Sequence, residues 1–224
     1  GVVPISGCLY DKNIVMVVSG GIAATESIKL ARELRRHGAN VYPIMTESAK
    51  KVVTPLAVSW GSGSDVLTDW DPMMSQLGRF DGLLLAPATR NTIAKFVHGI
   101  IDSPAMMALS ASSGNHSPMM FVPSMHEDIF DDQVTTDLLD SVRSMGVSTY
   151  IDESTEGRRK QPDPVSIVAN LSNFMNGALE GRKTVAVTLG ANRAPMDSIR
   201  YVQNTSTGKT GWAIAEYLHR MGHR

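Results

Sequence analysis

The sequence contains a single cysteine, Cys8, and only 6% aromatic residues. One cysteine excludes an intrachain disulfide framework and any metal site built from several cysteines, and no pair of the six histidines has convincing metal-ligand spacing. Because 21 basic side chains are balanced by 22 acidic ones, the chain lacks the basic surface that nucleic-acid binding requires. No apolar run reaches the roughly 18 residues of a membrane span, and residues 1–7 do not have the basic-then-apolar order of a signal peptide. We therefore expect a cytoplasmic protein with no metal site and no nucleic-acid or membrane partner.

Short apolar runs alternate with amphipathic segments along most of the chain. The runs typical of buried strands are 13–19, 40–45, 80–86 and 118–122. Segments with helical spacing are 22–37, 48–53, 93–101, 133–145 and 165–179, and Ile22 falls near the apolar face of the first. Residues 61–64 are expected to form a loop. This alternation predicts an α/β fold with a doubly wound parallel sheet in three layers, flavodoxin-like or Rossmann-like.

The domain organisation follows from the same patterns. Residues 1–12 are expected to form an N-terminal tail, and residues 13–180 the main α/β domain. Residues 181–224 begin a second α/β domain, with a predicted strand at 184–189 and a helix at 209–221. One strand and one helix cannot close a sheet, so this second domain is incomplete in the chain.

Small and polar residues stand where four predicted strands end: 19–21, 46–48, 89–92 and 124–126. In an open parallel sheet, ligands bind outside the carboxyl ends of the strands. Hydroxyls, amides and backbone N–H groups at such positions suit a phosphate or a polar heteroaromatic ring. The chain has neither Gly-x-Gly-x-x-Gly nor a phosphate-binding Gly-x-x-x-x-Gly-Lys-Ser/Thr, which disfavours a dinucleotide-dependent dehydrogenase and a P-loop ATPase.

The order of these four segments resembles that of the flavin-containing cysteine decarboxylases. The segments are Ser19-Gly-Gly-Ile-Ala-Ala24, Met45-Thr-Glu-Ser-Ala49, Ala86-Pro-Ala-Thr-Arg-Asn-Thr92 and Val122-Pro-Ser-Met-His126. The third resembles that family's Pro-Ala-Ser/Thr-Ala-Asn-Thr motif, and the fourth its Pro-Ala-Met-Asn motif. The resemblance covers roughly residues 12–170.

The end of the chain resembles a different enzyme family. Residues 188–211, which contain Asn204-Thr-Ser-Thr-Gly-Lys209, are similar to the opening of the phosphopantothenate–cysteine ligases. A decarboxylase-like domain followed by this segment resembles the bifunctional decarboxylase/ligase family of coenzyme A biosynthesis, in its archaeal form. The resemblance implies a carbon–carbon lyase that decarboxylates phosphopantothenoylcysteine with FMN, forms homo-oligomers (trimers or higher multiples), and is joined to a truncated ligase that uses CTP and Mg²⁺.

The resemblance also implies roles for individual residues. FMN would lie at the strand ends, with its phosphate near Gly20, Gly21, Ser48 and Thr89. Asn91 and Thr92 would hydrogen-bond the flavin or order its loop. The remaining cofactor-binding candidates are Ser19, Ile22, Thr46, Ala86, Arg90 and Ser124. Met125, His126 and Arg158 are the substrate-contacting candidates, while His126 and Asn204 are the catalytic candidates.

The sequence departs from the family pattern at several of these positions. Met73 occupies the position of the family's usual catalytic histidine, and methionine cannot take a proton. Either the register of this comparison is off, or another group accepts the thiol proton, or the domain has lost decarboxylation. His126 replaces the substrate-contacting asparagine, and Arg90 replaces the usual alanine, so that it projects into the cleft or across a subunit boundary.

Three alternatives remain beside the decarboxylase. The first is an FMN-binding redox or electron-transfer flavoprotein without decarboxylase activity, which Met73 favours and the ligase-like tail disfavours. The second is a relative of the flavin prenyltransferases, against which Pro123-Ser-Met-His126 argues. The third is a non-enzymatic assembly scaffold with a vestigial flavin cleft.

Overall fold

A computed structural model describes residues 1–71, 80–151 and 161–224 of the chain. The chain divides into two compact units, Gly1–Leu171 and Ser172–Arg224.

The first unit is organised around a five-stranded parallel sheet. The strands are β1 (Asn13–Val18), β2 (Asn40–Met45), β3 (Gly82–Ala88), β4 (Met119–Pro123) and β5 (Ser148–Thr149). Their order across the sheet is β2-β1-β3-β4-β5, and each adjacent pair is parallel. This order reverses between β1 and β3, the point where open α/β sheets place their ligands. The predicted doubly wound parallel sheet is therefore confirmed.

Helices cover both faces of this sheet. A 3₁₀ turn at Ile22–Glu26 leads into α1 (Ser27–Arg36), and the later helices are α2 (Glu47–Lys50), α3 (Pro55–Ser62), α4 (Arg90–Val97), α5 (Pro104–Gly114), α6 (Glu127–Phe130), α7 (Gln133–Ser144) and α8 (Pro164–Gly177). The side chains of β1, β3 and β4 are buried along nearly their whole length. Strands covered on both faces have continuous apolar runs, and for this reason those runs could be read directly from the sequence.

Several local predictions for the first unit were wrong. Ile22 was placed near the apolar face of the first helix, but its side chain is 83% exposed because a 3₁₀ turn precedes α1. Gly61 and Ser62 belong to α3 and not to a loop. The helix expected at 93–101 begins at Arg90 and ends at Val97. Helix α5 was not predicted, although Ser103 followed by Pro104 is a typical helix start.

The first twelve residues, expected to form a tail, hydrogen-bond to the end of α1. The amide of Leu9 donates to the carbonyl of His37 at 2.9 Å, and Leu9 is fully buried. The His37 ring is itself buried and joins two other groups. Its Nδ1 lies 2.7 Å from Ser6 Oγ, and its Nε2 lies 3.1 Å from the buried Glu33 carboxylate.

We predict that His37→Ala lowers the free energy of unfolding by about 2–4 kcal/mol, because it leaves a cavity and removes one partner of a buried carboxylate. Glu26→Gln is the matched control, since it removes the exposed Lys29–Glu26 ion pair on the same segment. That control is expected to cost less than about 0.5 kcal/mol. Chemical denaturation monitored by circular dichroism measures both values. Equal losses of stability in the two variants would contradict a stabilising role for the buried His37 contacts.

The second unit contains a small hairpin and one long helix. Strands β6 (Arg193–Pro195) and β7 (Tyr201–Gln203) pair antiparallel, and α9 covers Lys209–Arg220. The predicted helix at 209–221 is confirmed. The predicted strand at 184–189 is wrong, because these residues do not pair with a neighbouring strand in the part of the chain that the structure describes. The amide of Val185 donates to the carbonyl of Arg224 at 2.6 Å, and the Arg224 amide donates to the carbonyl of Lys183 at 3.1 Å. Burial and the charge of Arg220 lower the pKa of His219 near the end of α9.

Candidate functional site

A cleft of about 360 Å³ opens at the carboxyl ends of β1, β2 and β3. We call it the strand-end cleft. Its lining residues are Gly20, Thr46, Glu47, Ser48, Thr89, Asn91, Thr92, Lys95, Asp102, Ser103 and Met106. The structure thus brings together six of the predicted cofactor-binding residues, which come from three separate segments of the sequence. The volume lies within the range of ~300–1,000 Å³ typical of small-molecule sites.

Close backbone approach shapes one wall of the strand-end cleft. A Cβ atom placed on Gly20 would lie 2.3 Å from Ser48 Cβ and 3.0 Å from the Ser48 carbonyl carbon. Only glycine therefore allows the end of β1 to pack against the start of α2. Thr46 fixes the same wall, because its side chain caps α2 by accepting a hydrogen bond from the amide of Ala49 at 3.2 Å.

The amino-terminal end of α4 forms a second wall. Thr89 stands at its N-cap position but makes no side-chain cap bond. Its Oγ1 instead lies 3.1 Å from Thr92 Oγ1, and the buried Ser19 Oγ accepts from the Thr89 amide at 3.0 Å. First-turn N–H groups have no partner within a helix. The end of α4 consequently offers backbone donors and a partial positive charge to a bound anion.

Three charged residues that were not among the site candidates also line the strand-end cleft: Glu47, which pairs with Lys50, and Lys95 and Asp102. Lys95 lies one turn into α4 and forms an ion pair with Asp102, just before α5. Ser103 caps α5 by accepting from the Met106 amide at 3.4 Å. The spacing of Thr92 and Lys95 on one helix face is a sequence signal for Lys95, but Asp102 reaches the site only through packing of α5 beside α4.

The other cofactor-binding candidates lie around the cleft without lining it. Ser19 lies beneath it, and Gly21 has a φ of 147°, which favours glycine. Ile22 is exposed, as described above, while Ala86 is fully buried within β3. Arg90 was expected to project into the cleft or across a subunit boundary. It does not line the cleft, and its guanidinium forms an ion pair with Asp132, whose carboxylate lies 2.5 Å away. Its place at a subunit boundary stays a prediction.

The substrate-contacting candidates follow β4. The amide of Ser124 donates to the carbonyl of Ala88 at 3.1 Å, which fixes this loop beside the end of β3. Met125 packs against the main apolar core. His126 is exposed and precedes α6, with its carbonyl accepting from the Phe130 amide at 2.9 Å.

Three further residues were singled out from the sequence. Met73 and Arg158 fall outside the described residues. Asn204 belongs to the second unit, where its Oδ1 accepts from the amide of Ser206 at 3.1 Å. A separate cavity of about 440 Å³ in that unit is lined by residues 188–190 and 205–211.

Two broader features bear on the class of site. In residues 1–71, 80–151 and 161–224, no group of three or more histidine, cysteine, aspartate or glutamate side chains is placed to hold a metal ion. Over the same residues, no helix combines the length and apolarity of a membrane span.

Comparison with known proteins relates the chain to bifunctional enzymes. It is 36% identical over 216 residues to the coenzyme A biosynthesis bifunctional protein CoaBC of Thermococcus kodakarensis, covering 93% of this chain and 53% of that protein. The chain thus spans about half the length of the curated relatives it matches.

Two solved structures share the fold. An FMN-dependent cysteine decarboxylase, SpaF, superposes with a TM-score of 0.64 at 21% identity, covering 71% of this chain and 94% of that one. A mutant PPC decarboxylase complexed with pantothenoylaminoethenethiol gives a TM-score of 0.62 at 20% identity, covering 70% and 94%.

Two family models match the chain, one over its first part and one over its end, as the sequence resemblances did. Residues 179–224 match the DNA/pantothenate metabolism flavoprotein C-terminal domain. Residues 3–187 match the Flavoprotein model, which is most of the chain. The chain therefore belongs to the Flavoprotein family.

Proposed function

We propose that this chain binds FMN in the strand-end cleft and decarboxylates phosphopantothenoylcysteine to phosphopantetheine, as one half of a bifunctional enzyme of coenzyme A biosynthesis. The observation that carries the proposal is the uncapped end of α4 in a polar cleft that the Gly20–Ser48 contact also lines. The bifunctional relatives and the decarboxylase fold support the choice of reaction.

The described residues fit a bound flavin mononucleotide. The phosphate is a dianion near neutral pH, and the first-turn N–H groups of α4 can donate to it. The hydroxyls of Ser48 and Thr92 line the same cleft. Asn91 offers both an amide donor and an acceptor for the flavin ring. Lys95 adds a positive charge, part of which Asp102 already neutralises.

The chemistry supplied by bound FMN is reversible two-electron oxidation of the substrate's thiol, after which carbon dioxide leaves readily because the negative charge is delocalised onto sulfur. The protein's part is to orient the thiol and accept its proton. His126 is our candidate for contact with the substrate carboxylate. It is exposed, and the Ser124–Ala88 bond holds its loop beside β3.

A second candidate function keeps the flavin but not the reaction. Met73 stands where the family's usual histidine would accept a proton, which favours a redox flavoprotein without decarboxylase activity. Release of carbon dioxide from phosphopantothenoylcysteine separates the two functions, since both predict bound FMN.

The second unit extends the proposal to a fragment of a ligase. Its match to the flavoprotein C-terminal domain supports this assignment, with Asn204 as the candidate catalytic residue and CTP and Mg²⁺ as the cofactors of the complete domain. We expect no ligation from this chain alone, because it spans only about half of its relatives.

We also propose that the chain forms homo-oligomers. Leu56 and Trp60 on α3 are 63% and 78% exposed, which supports a contact with another protein surface. Light scattering tests this, and a monomer mass would contradict it. The cytoplasmic location expected from the sequence stays a prediction.

We predict that His126→Ala lowers kcat/KM for carbon dioxide release by about 100-fold, since a positioning contact to the reacting group is lost. His126→Asn introduces the residue usual in the family and is expected to stay within about tenfold of the unmodified chain. Both variants should retain FMN, because His126 does not line the strand-end cleft. Unchanged turnover in His126→Ala would remove His126 from the mechanism.

A further inference from the structure

The ion pair between Arg90 and Asp132 lies between two segments with different proposed roles: the turn 89–92 in FMN binding and the loop 124–126 in substrate contact. Arg90 Nη1 lies 2.5 Å from Asp132 Oδ2, and the side chains are 36% and 37% exposed. We infer that this pair is a positioning device, which sets the spacing between the turn 89–92 and the loop 124–126. The catalytic part of this inference rests on the proposed function.

Arg90 is attached directly to the strand-end cleft through the backbone. Its neighbours Thr89 and Asn91 both line that cleft. The Thr89 amide is held from below by Ser19 Oγ at 3.0 Å. The position of the Arg90 side chain, whose guanidinium contacts Asp132, is therefore coupled to the position of backbone groups at the cleft wall.

Asp132 is attached to the His126 loop through α6 and the first turn of α7. As N-cap of α7, its Oδ1 accepts from the Val134 amide at 3.3 Å. The buried Thr135 on the same turn donates from Oγ1 to the carbonyl of Ile129 at 2.5 Å, which ties α7 to α6. Helix α6 begins directly after His126. The position of Asp132 is thereby linked to that of His126.

A role in orientation accounts for this pair better than a role in stability. Ion pairs with this exposure contribute little to the free energy of folding. Charged hydrogen bonds of guanidinium groups are directional, however, and fix the distance between the elements that they join. Losing the pair should leave fold and flavin in place while the His126 loop shifts relative to the cleft.

The test uses Arg90→Gln and Asp132→Asn in the FMN-loaded chain. Asparagine keeps the N-cap of α7, so that variant removes only the charge. We expect each change to lower kcat about tenfold, with flavin content and melting temperature unchanged. The double variant should be no slower than either single variant, since both remove the same interaction. Arg90→Lys should recover most of the activity.

Asp140→Asn is the matched control on α7, because it removes the exposed Asp140–Arg143 pair. It should leave kcat unchanged. Additive losses in the double variant, or equal losses in Asp140→Asn, would overturn the inference.

A second readout does not depend on catalysis. In NMR spectra of imidazole-labelled chain, with the His126 signal assigned from His126→Asn, Arg90→Gln and Asp132→Asn should move that signal while Asp140→Asn does not. An unmoved His126 signal overturns the inference whether or not carbon dioxide is released. Absence of carbon dioxide from the unmodified chain, with the signal moved, contradicts only the proposed reaction.

Discussion

Gly20→Ala is expected to lower FMN affinity at least tenfold. The new Cβ would lie 2.3 Å from Ser48 Cβ and 3.0 Å from a Ser48 backbone carbon, so one wall of the strand-end cleft must move. Overpacking of this kind costs about 1–3 kcal/mol, and the flavin loses donors that are placed by that wall. Equilibrium titration with FMN, followed by flavin fluorescence, measures the effect.

Gly114→Ala is the matched control for this change. Gly114 lies at the end of α5, and nothing lies within 4 Å of a Cβ added there. We expect it to bind FMN normally. Adding Ser48→Gly to Gly20→Ala removes the closest clash and should restore part of the lost stability. Normal FMN affinity in Gly20→Ala would show that this contact does not form the cofactor site.

Asn91→Asp is expected to weaken FMN binding about tenfold while the protein without FMN becomes no less stable. Asn91 lies in the first turn of α4, where a negative charge stabilises a helix by about 0.3–1 kcal/mol. The same charge repels the FMN phosphate, and at a few ångströms in a partly exposed site the repulsion exceeds 1 kcal/mol or so. Because the added charge stabilises the FMN-free protein and weakens FMN binding, a loss of folding cannot account for the lower FMN affinity.

The measurement compares FMN dissociation constants at low and high ionic strength, because salt should relieve part of the repulsion. Asn115→Asp serves as the control. It makes the same change in charge at the carboxyl end of α5, whereas the cleft lies at the amino end of that helix. Equal FMN affinity for Asn91→Asp and Asn115→Asp would place Asn91 outside the cofactor site.

The sheet could be predicted where burial determines the sequence. β1 and β4 are buried along nearly their whole length, and their apolar runs matched the observed bounds to within a residue. β5 has only Ser148 and Thr149 and carries no such signal. Residues 184–189 show the converse case, since an apolar run does not form a strand without a neighbouring strand to pair with.

The candidate site was predictable in the parts that lie at strand ends. Thr46 and Thr89 directly follow their strands, and Gly20 comes two residues after its strand, so topology alone places them together. Asp102 is brought to the cleft by the packing of two helices, and no local pattern indicates it. The ion pair of Arg90 could not be predicted either, because nothing in the neighbouring sequence indicates that Asp132 lies within reach of its side chain.

Flavin binding and turnover are tested together by the visible absorption spectrum of the purified chain and by the carbon dioxide released after addition of phosphopantothenoylcysteine. We expect the absorption bands of oxidised flavin in the purified or FMN-reconstituted chain, and release of carbon dioxide when substrate is added. A chain that shows no flavin absorption even after incubation with excess FMN would contradict the proposed function.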